Sequence, residues 1–388
     1  MYYEFGYLCK SKVLLRIKSR LIGSALRLSL SNFLTPKLSN LVDELYMRRA
    51  LDLARLGSGY TSPNPMVGCV VVHEGRIIGE GWHCAYGGPH AEVNAIASVE
   101  DKSLLPKSKV YVTLEPCSHF GKTPPCVDLL ISSGVRDVVI CNTDPNPLVA
   151  GRGIKKLFET GAQVRVGVLE REGQELNKRF FTFHTLKRPY ILLKWAESAD
   201  GFISGPNSEQ VQISGALSRR LVHKWRSEEQ AIMVGSHTAA FDNPRLDTRF
   251  WAGPSPLRVV IDRKLQLPGH LHLFDKSQPT VVYTYQKQEQ VHENLRYVQL
   301  QEQEPLLAQI MQDLHQHQVL SLLVEGGTYL LKSLLKEHLW DEARYFRSRS
   351  RNLGTGTQAP VMAQGRLLEV QAFGSDLLFH YQNYLSPI

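Results

Sequence analysis

The sequence contains no run of about 18 apolar residues, so nothing in it reads as a membrane-spanning helix. Acid is nearly missing from the first 40 positions, where seven Lys/Arg face a single carboxylate, Glu4. Six of the eight net positive charges therefore sit there, and the other 348 residues hold 38 basic and 36 acidic side chains. That balance excludes a basic nucleic-acid-binding body and leaves room for local cations on a phosphate. Cysteine is also scarce, six in 388 residues. Three disulfides are arithmetically possible, but a chain of this length needs no staples, and metal-binding thiols in a reducing compartment are expected instead. A hydrophobic fraction of 43% is ample for packed cores, and the length suggests roughly two or three domains.

One stretch organises what is present. It opens Pro89-His90-Ala91-Glu92 and closes Leu114-Glu115-Pro116-Cys117-Ser118-His119 and then Pro125-Cys126, with eight residues between Cys117 and Cys126. His90, Cys117 and Cys126 offer one imidazole and two thiols to zinc, and three protein ligands leave the fourth tetrahedral position to water, as in catalytic sites. Zinc would lower the pKa of that water to about 7, and Glu92 would carry its proton to a departing amine. His-x-Glu followed by Pro-Cys…Cys resembles the signature of the zinc-dependent nucleobase deaminases. A structural zinc site is the blander alternative; it needs a fourth ligand, which His83 or His119 could supply, and it leaves Glu92 without a purpose.

The usual second half of that signature is Pro-Cys-x-x-Cys. The longer loop here, with Ser118-His119 and Gly121-Lys122-Thr123-Pro124-Pro125, closely resembles the deaminase half of the bifunctional riboflavin-biosynthesis deaminase/reductase family. The resemblance implies an N-terminal cytidine-deaminase-like three-layer α/β/α domain over residues 42–186 and a C-terminal dihydrofolate-reductase-like α/β domain over 187–388. It implies deamination of a diaminopyrimidinone carrying ribose 5-phosphate, then reduction of the ribose to a ribityl chain with NADPH. Zinc and NADPH are the implied cofactors and a phosphorylated pyrimidine the implied partner; neither nucleic acid nor membrane is expected. A cytoplasmic homo-oligomer, joined through the reductase domain, is expected.

Residues 1–41 lie outside the resemblance. Their basic, serine-rich composition is that of a transit peptide, but a disordered tail or an upstream translation start is the favoured reading. From Asp43 the apolar spacing predicts an amphipathic helix ending at Gly57. A hairpin of Val67–His73 and Arg76–Trp82 follows, joined by Glu74-Gly75. His90 is expected to open a helix to Val99, where the dipole favours ionised Glu92. Lys109–Leu114 reads as a strand delivering Cys117, and Cys126 as the start of a helix to Ser133, a position that stabilises a thiolate. Strands Val135–Cys141 and Gln163–Val168 flank a helix, Gly153–Thr160, giving an alternating α/β unit. The resemblance implies substrate contacts from Asn64, His83, His119 and Lys122.

Pro189 marks the expected domain boundary. Tyr190–Ala196 reads as a strand, Ser214 as the cap of a helix reaching Trp225 and Arg226, and Ala231–Gly235, Leu257–Asp262, Thr280–Tyr285 and Leu320–Val324 as strands. The glutamine-rich passage to about Glu304 carries little signal. Leu306–Gln316 and Tyr329–Lys336 read as helices. Glu325-Gly326-Gly327-Thr328 lets backbone N–H groups approach a phosphate, yet it is not the Gly-x-Gly-x-x-Gly of a conventional dinucleotide fold. The resemblance implies NADPH contacts at Ala196, Gln212, Thr238, Asp242, Gly326, Gly327 and Thr328. It implies substrate contacts at Lys194, Gln210, Arg226, Leu246, Arg249 and Glu325, the two arginines suiting bidentate phosphate recognition.

Two departures stand out. Gln212 falls where many members carry tryptophan beside the nicotinamide. Tyr345–Arg351 alternates with Arg347, Arg349 and Arg351, which share one face at period two and are expected to guard an exposed strand edge; contact with the cofactor's 2′-phosphate is the alternative. The rival functions are another zinc deaminase, a structural-zinc binding module, and a deaminase with a degenerate reductase half.

Overall fold

The computed structural model describes residues 24–120, 124–147, 149–206, 211–289 and 292–386, with backbone alone for 24–38. The first 23 residues of the basic extension fall outside that set. A helix, α1 (Ser24–Arg55), begins well before Asp43. Its early turns are rich in leucine, a good helix former, which a reading by charge alone passes over. Among the described residues, no helix is long and apolar enough to cross a membrane.

The first sheet is built from β1 (Gly68–His73), β2 (Arg76–Trp82), β3 (Lys109–Leu114), β4 (Asp137–Asn142) and β5 (Gln163–Val166), in the order β2-β1-β3-β4-β5. The expected β1–β2 hairpin is antiparallel, with Gly68 opposite Trp82. β1 is also antiparallel to β3, whereas β3–β4 and β4–β5 are parallel. Central strands are buried on both faces and accordingly read as unbroken apolar runs, Cys69–Val72 and Val138–Cys141. Helices α2 (Ala91–Ser98), α3 (Cys126–Ser132), α4 (Arg152–Glu159), α5 (Glu170–Leu176) and α6 (Lys178–Leu186) accompany this sheet. A close approach fixes α2: a Cβ on Gly81 of β2 would stand 2.3 Å from the Ala95 nitrogen. Only glycine lets that helix settle on the hairpin and carry its first turn to the site.

The second sheet has nine strands. They are β6 (Tyr190–Glu197), β8 (Ala231–Gly235), β9 (Leu257–Ile261), β10 (Thr280–Thr284), β11 (Leu295–Gln299), β12 (Ser321–Val324), β13 (Glu342–Ser348), β15 (Arg366–Phe373) and β16 (Asp376–Gln382). Their order is β11-β10-β9-β8-β12-β6-β13-β16-β15. Pairing is parallel from β11 through β13 and antiparallel at β13–β16 and β16–β15. A separate two-stranded pair joins β7 (Phe202–Ser204) to β14 (Thr357–Gln358). Helices α7 (Ala216–Glu228), α8 (Ser236–Asp242), α9 (Leu306–Gln316) and α10 (Thr328–Lys336) complete this half.

Three expectations are corrected here. The N-cap residue of α7 is Gly215, not Ser214, and no side chain of its own caps it. The Asp376 carboxylate does so from β16, accepting the Gly215 N–H at 2.9 Å and the Ser218 hydroxyl at 2.6 Å. The glutamine-rich passage contains β11, whose side chains are mostly half-buried, so its polar face hid it. Most consequentially, the arginine-bearing strand is no edge: β13 pairs with β6 on one side and β16 on the other. It ends at Ser348, and Arg347 donates to buried Glu197 at 2.6 Å. Arg351 lies beyond it and donates to the Gln212 carbonyl at 2.8 Å.

Candidate active sites

The first site gathers where β2, β3 and β4 end and where α2 and α3 begin. His90 occupies the N-cap position of α2 and Cys126 the first position of α3, so the two helix starts face each other. His90 Nδ1 lies 3.2 Å from Cys126 Sγ and 3.6 Å from Cys117 Sγ. All three donor atoms are within 4.8 Å of one another, and among the described residues no other His/Cys/Asp/Glu group forms such a cluster. The two thiols are coupled through a hydrogen bond. The hydrogen bond from Cys126 holds the Cys117 thiol down to about 4, aided by His90 and the Cys126 N–H against burial. The same bond and burial push the Cys126 thiol up. One ring nitrogen and two sulfurs, one of them already anionic, are a donor set that suits zinc.

Glu92 is 3% exposed beside these donors. Burial, then the Cys117 charge, pushes its carboxyl up to about 7. His83 is neutral for a traceable reason. Burial lowers its pKa, its Nδ1 lies 3.0 Å from the Pro89 carbonyl and its Nε2 3.2 Å from Asn64 Nδ2. A carbonyl can only accept, so Nδ1 carries the hydrogen and Nε2 accepts from the amide. Both ring nitrogens are committed, which removes His83 as a fourth metal ligand. His119 is exposed and stands outside the donor cluster.

A cavity of about 220 Å³ brings together Asn64, His83, His90, Glu92, Cys117 and His119. Lys122 falls outside the described residues. Asp144 and Asn146 also line the cavity, and sequence reading passed over them inside the turn Asp144-Pro145-Asn146-Pro147. Burial pushes the Asp144 carboxyl up to about 6. Their loop is pinned by Glu115, whose carboxylate accepts the N–H groups of Asp144, Gly151, Gly153 and Ile154 at 2.9–3.3 Å. A glutamate in an apolar strand end, Leu114-Glu115-Pro116, was the available signal.

The second site is assembled from distant segments. A cavity of about 280 Å³ is lined by Lys194 and Ala196 of β6, Gln212, Thr238 and Asp242 of α8, and Glu325 to Thr328 ahead of α10. Gly327 has φ +56, and a Cβ on Gly326 would lie 3.1 Å from the Thr238 methyl, so this turn admits little but glycine. Glu325 takes both arms of Arg226, at 2.7 and 2.8 Å, and Lys194 Nζ at 3.5 Å. Burial opposes its charge, yet the two cations hold its carboxyl down to about 2. Of the two arginines expected on a phosphate, Arg226 takes the Glu325 carboxylate in its fork. Arg249 pairs with the Asp247 carboxylate and does not line the cavity. Leu246 is 1% exposed in the core, and Gln210 falls outside the described residues.

A thiol–imidazole centre with a buried carboxylate, on a five-stranded α/β sheet, and a glycine-turn pocket on a nine-stranded one together define a zinc deaminase joined to a reductase. Comparison with known proteins agrees. Residues 41–142 match the cytidine and deoxycytidylate deaminase zinc-binding region, and residues 189–379 the RibD C-terminal domain. The riboflavin biosynthesis protein RibD of Aquifex aeolicus is 38% identical over 355 residues, 88% of this chain and 99% of that protein. The one from Chlamydia pneumoniae is 40% identical, covering 84% and 89%. The crystal structure of a diaminohydroxyphosphoribosylaminopyrimidine deaminase/5-amino-6-(5-phosphoribosylamino)uracil reductase from Thermotoga maritima superposes with a TM-score of 0.80 at 36% identity, over 89% of this chain and 99% of that one.

The chain belongs to the RibD family of riboflavin biosynthesis proteins. It is a bifunctional enzyme, a zinc-dependent deaminase and an NADPH-dependent reductase in one polypeptide.

Proposed function

We propose that residues 42–186 remove the ring amine of 2,5-diamino-6-(5-phosphoribosylamino)pyrimidin-4(3H)-one and that residues 187–388 reduce the ribosyl chain of the deaminated product. The observation that carries this is the trio of His90, Cys117 and Cys126 donors within 4.8 Å, in one cavity with buried Glu92. Zinc would be held by those three side chains and would supply an activated water with a pKa of about 7. Glu92 takes a proton from the water and returns one to the departing amine; a carboxyl poised near neutrality can do both. Asn64, fixed by His83, reads the pyrimidinone edge with its remaining acceptor. His119 and Lys122 meet the polar end of the substrate from the loop before Cys126.

NADPH would be held by Ala196, Gln212, Thr238, Asp242 and the Gly326-Gly327-Thr328 turn, and would supply a hydride for the ribose C1′ of the open-chain imine. The proton that completes the reduction comes from Lys194, since Glu325 stays ionised between its cations and has none to give. Arg226 and Leu246 hold that carboxylate and the loop behind it, Arg249 faces the phosphate, and Gln210 borders the substrate. The enzyme works in the cytoplasm as a homo-oligomer joined through the reductase half. Support for the latter comes from edge strand β15, where Leu367, Leu368 and Val370 are 47%, 43% and 45% exposed.

A coupled assay on the purified chain tests the whole. Ammonia and one NADPH oxidised per turnover, both lost on zinc chelation, are expected. Ammonia without NADPH consumption would leave a deaminase with a silent second half, and no ammonia would sink the central reading.

A further inference from the structure

One buried ring in the reductase half has no part in either site. His223 lies on α7 one turn before Arg226, so the two side chains share a helix face. It is 4% exposed, and its Nδ1 has no hydrogen-bond partner among the described residues. An imidazole always brings a donor or acceptor at each ring nitrogen, and leaving one dry is unfavourable. The charges acting on it come from three elements: Arg226 on its own helix, Asp247 and Arg249 from the loop after α8, and Glu325 from the end of β12. Asp247 ties the two arginines together, its carbonyl accepting from Arg226 at 3.0 Å and its carboxylate pairing with Arg249. Both arginines are paired, but the Arg249 side chain is 46% exposed against 11% for Arg226, so Arg249 is the one a ligand meets first. Thr248, next to it, leaves a second buried atom, Oγ1, without a partner among the described residues.

The cover over this cluster is aromatic. Phe250 packs edge-on against His223 with ring centroids 4.8 Å apart, and the Arg249 guanidinium lies 5.0 Å above the Phe250 ring. Phe250 and its neighbour Trp251 are nonetheless 47% and 41% exposed. Native proteins leave few buried polar atoms unpaired, and here two border a loop capped by exposed aromatics.

We infer that His223 is a specificity-determining residue of the reductase: with Arg249 and Thr248 it receives the phosphate end of the substrate, and Phe250 is the ring that moves to admit it. The inference rests on the reading of residues 187–388 as a reductase of a phosphorylated pyrimidine. In the free protein, burial and then the two guanidiniums keep the imidazole neutral, its pKa lowered to about 4. A phosphate dianion reverses that balance, so the ring gains a proton and donates to it.

The test uses the full chain, with His223→Phe and His223→Asn beside wild type. NADPH oxidation is followed with the phosphorylated uracil substrate and with its dephosphorylated analogue. His223→Phe is expected to raise KM for the phosphorylated substrate by about 10- to 100-fold, the loss of one charge-assisted hydrogen bond. The kcat, and KM for the dephosphorylated analogue, should be unchanged. His223→Asn, whose amide can stand where Nδ1 stands, should recover most of the loss. A structural role alone would change both substrates alike and overturn the inference, as would an unchanged KM. A second readout needs no turnover: ¹⁵N-histidine spectra at pH 7 should show His223 passing from neutral to imidazolium as inorganic phosphate is added. A His223 signal indifferent to saturating phosphate overturns it too. If wild type oxidises no NADPH with either substrate, the reductase reading fails instead.

Discussion

The two sites each contain a buried carboxylate, and the pair behave oppositely. Glu92 faces the Cys117 sulfur, with the His90 ring only partly offsetting it, and burial raises its carboxyl to about 7. The Glu325 side chain is 6% exposed but sits between Arg226 and Lys194, which hold it down to about 2. Burial is common to both, so the neighbours decide. One carboxyl is thereby able to exchange protons at neutral pH, and the other is a fixed anion that can only orient. Under the proposed function, the same residue type does acid–base work in one half and scaffolding in the other.

Replacing each carboxylate by its amide breaks the comparison most sharply. Glu92→Gln removes the proton carrier with little change in shape. Deamination should fall by about 10²–10⁴-fold, while reduction of supplied deaminated substrate should stay within about twofold of wild type, since the residues of the second cavity are untouched. Ammonia release and NADPH oxidation, measured separately, check this. Loss of both activities would mean that Glu92 supports the fold rather than the chemistry.

Glu325→Gln should act through stability first. It strands the buried Arg226 charge, and removing one partner of such a pair costs about 3–5 kcal/mol. Denaturation followed on the reductase half should show it, with ammonia release retained. The pH dependence sharpens the point. A carboxylate depressed to about 2 when folded contributes stability that is present above its unfolded pKa of about 4.5 and lost as pH falls toward 2. The wild-type reductase half should therefore weaken over that window, and Glu325→Gln should remove this part of the slope.

The deaminase site was largely legible because its chemistry is local. His90, Glu92, Cys117 and Cys126 lie within 37 consecutive residues, each at a strand end or helix start whose limits the pattern marks. β2, β3, β8 and α9 came out with their expected limits. What escaped depends on partners far away in the chain. The α7 cap comes from Asp376, about 160 residues on, and the ionisation of Glu325 from Arg226 and Lys194. Asp144 and Asn146 looked like turn formers because their placement depends on Glu115 gathering four distant N–H groups. Period-two alternation put the arginines on one face, but it could not show that the strand has a neighbour on both sides.

Arg347 gives the smallest and last test, because it separates a charge that merely covers a carboxylate from one that serves a site. It donates to Glu197, which also accepts the Trp195 indole N–H at 2.9 Å, and its guanidinium lies 5.1 Å from the Phe379 ring. Its side chain is 42% exposed against 3% for Glu197, so solvent screens the pair and the net contribution is about 1 kcal/mol or less. Arg347→Ala should therefore lower reductase stability by no more than that and leave KM for NADPH within about twofold. If KM for NADPH rose tenfold while KM for NADH did not, the strand would be reading the 2′-phosphate after all. The contrast drawn between paired carboxylates as scaffolding and Glu92 as chemistry would then need a third category, a paired carboxylate that aims its cation at the cofactor.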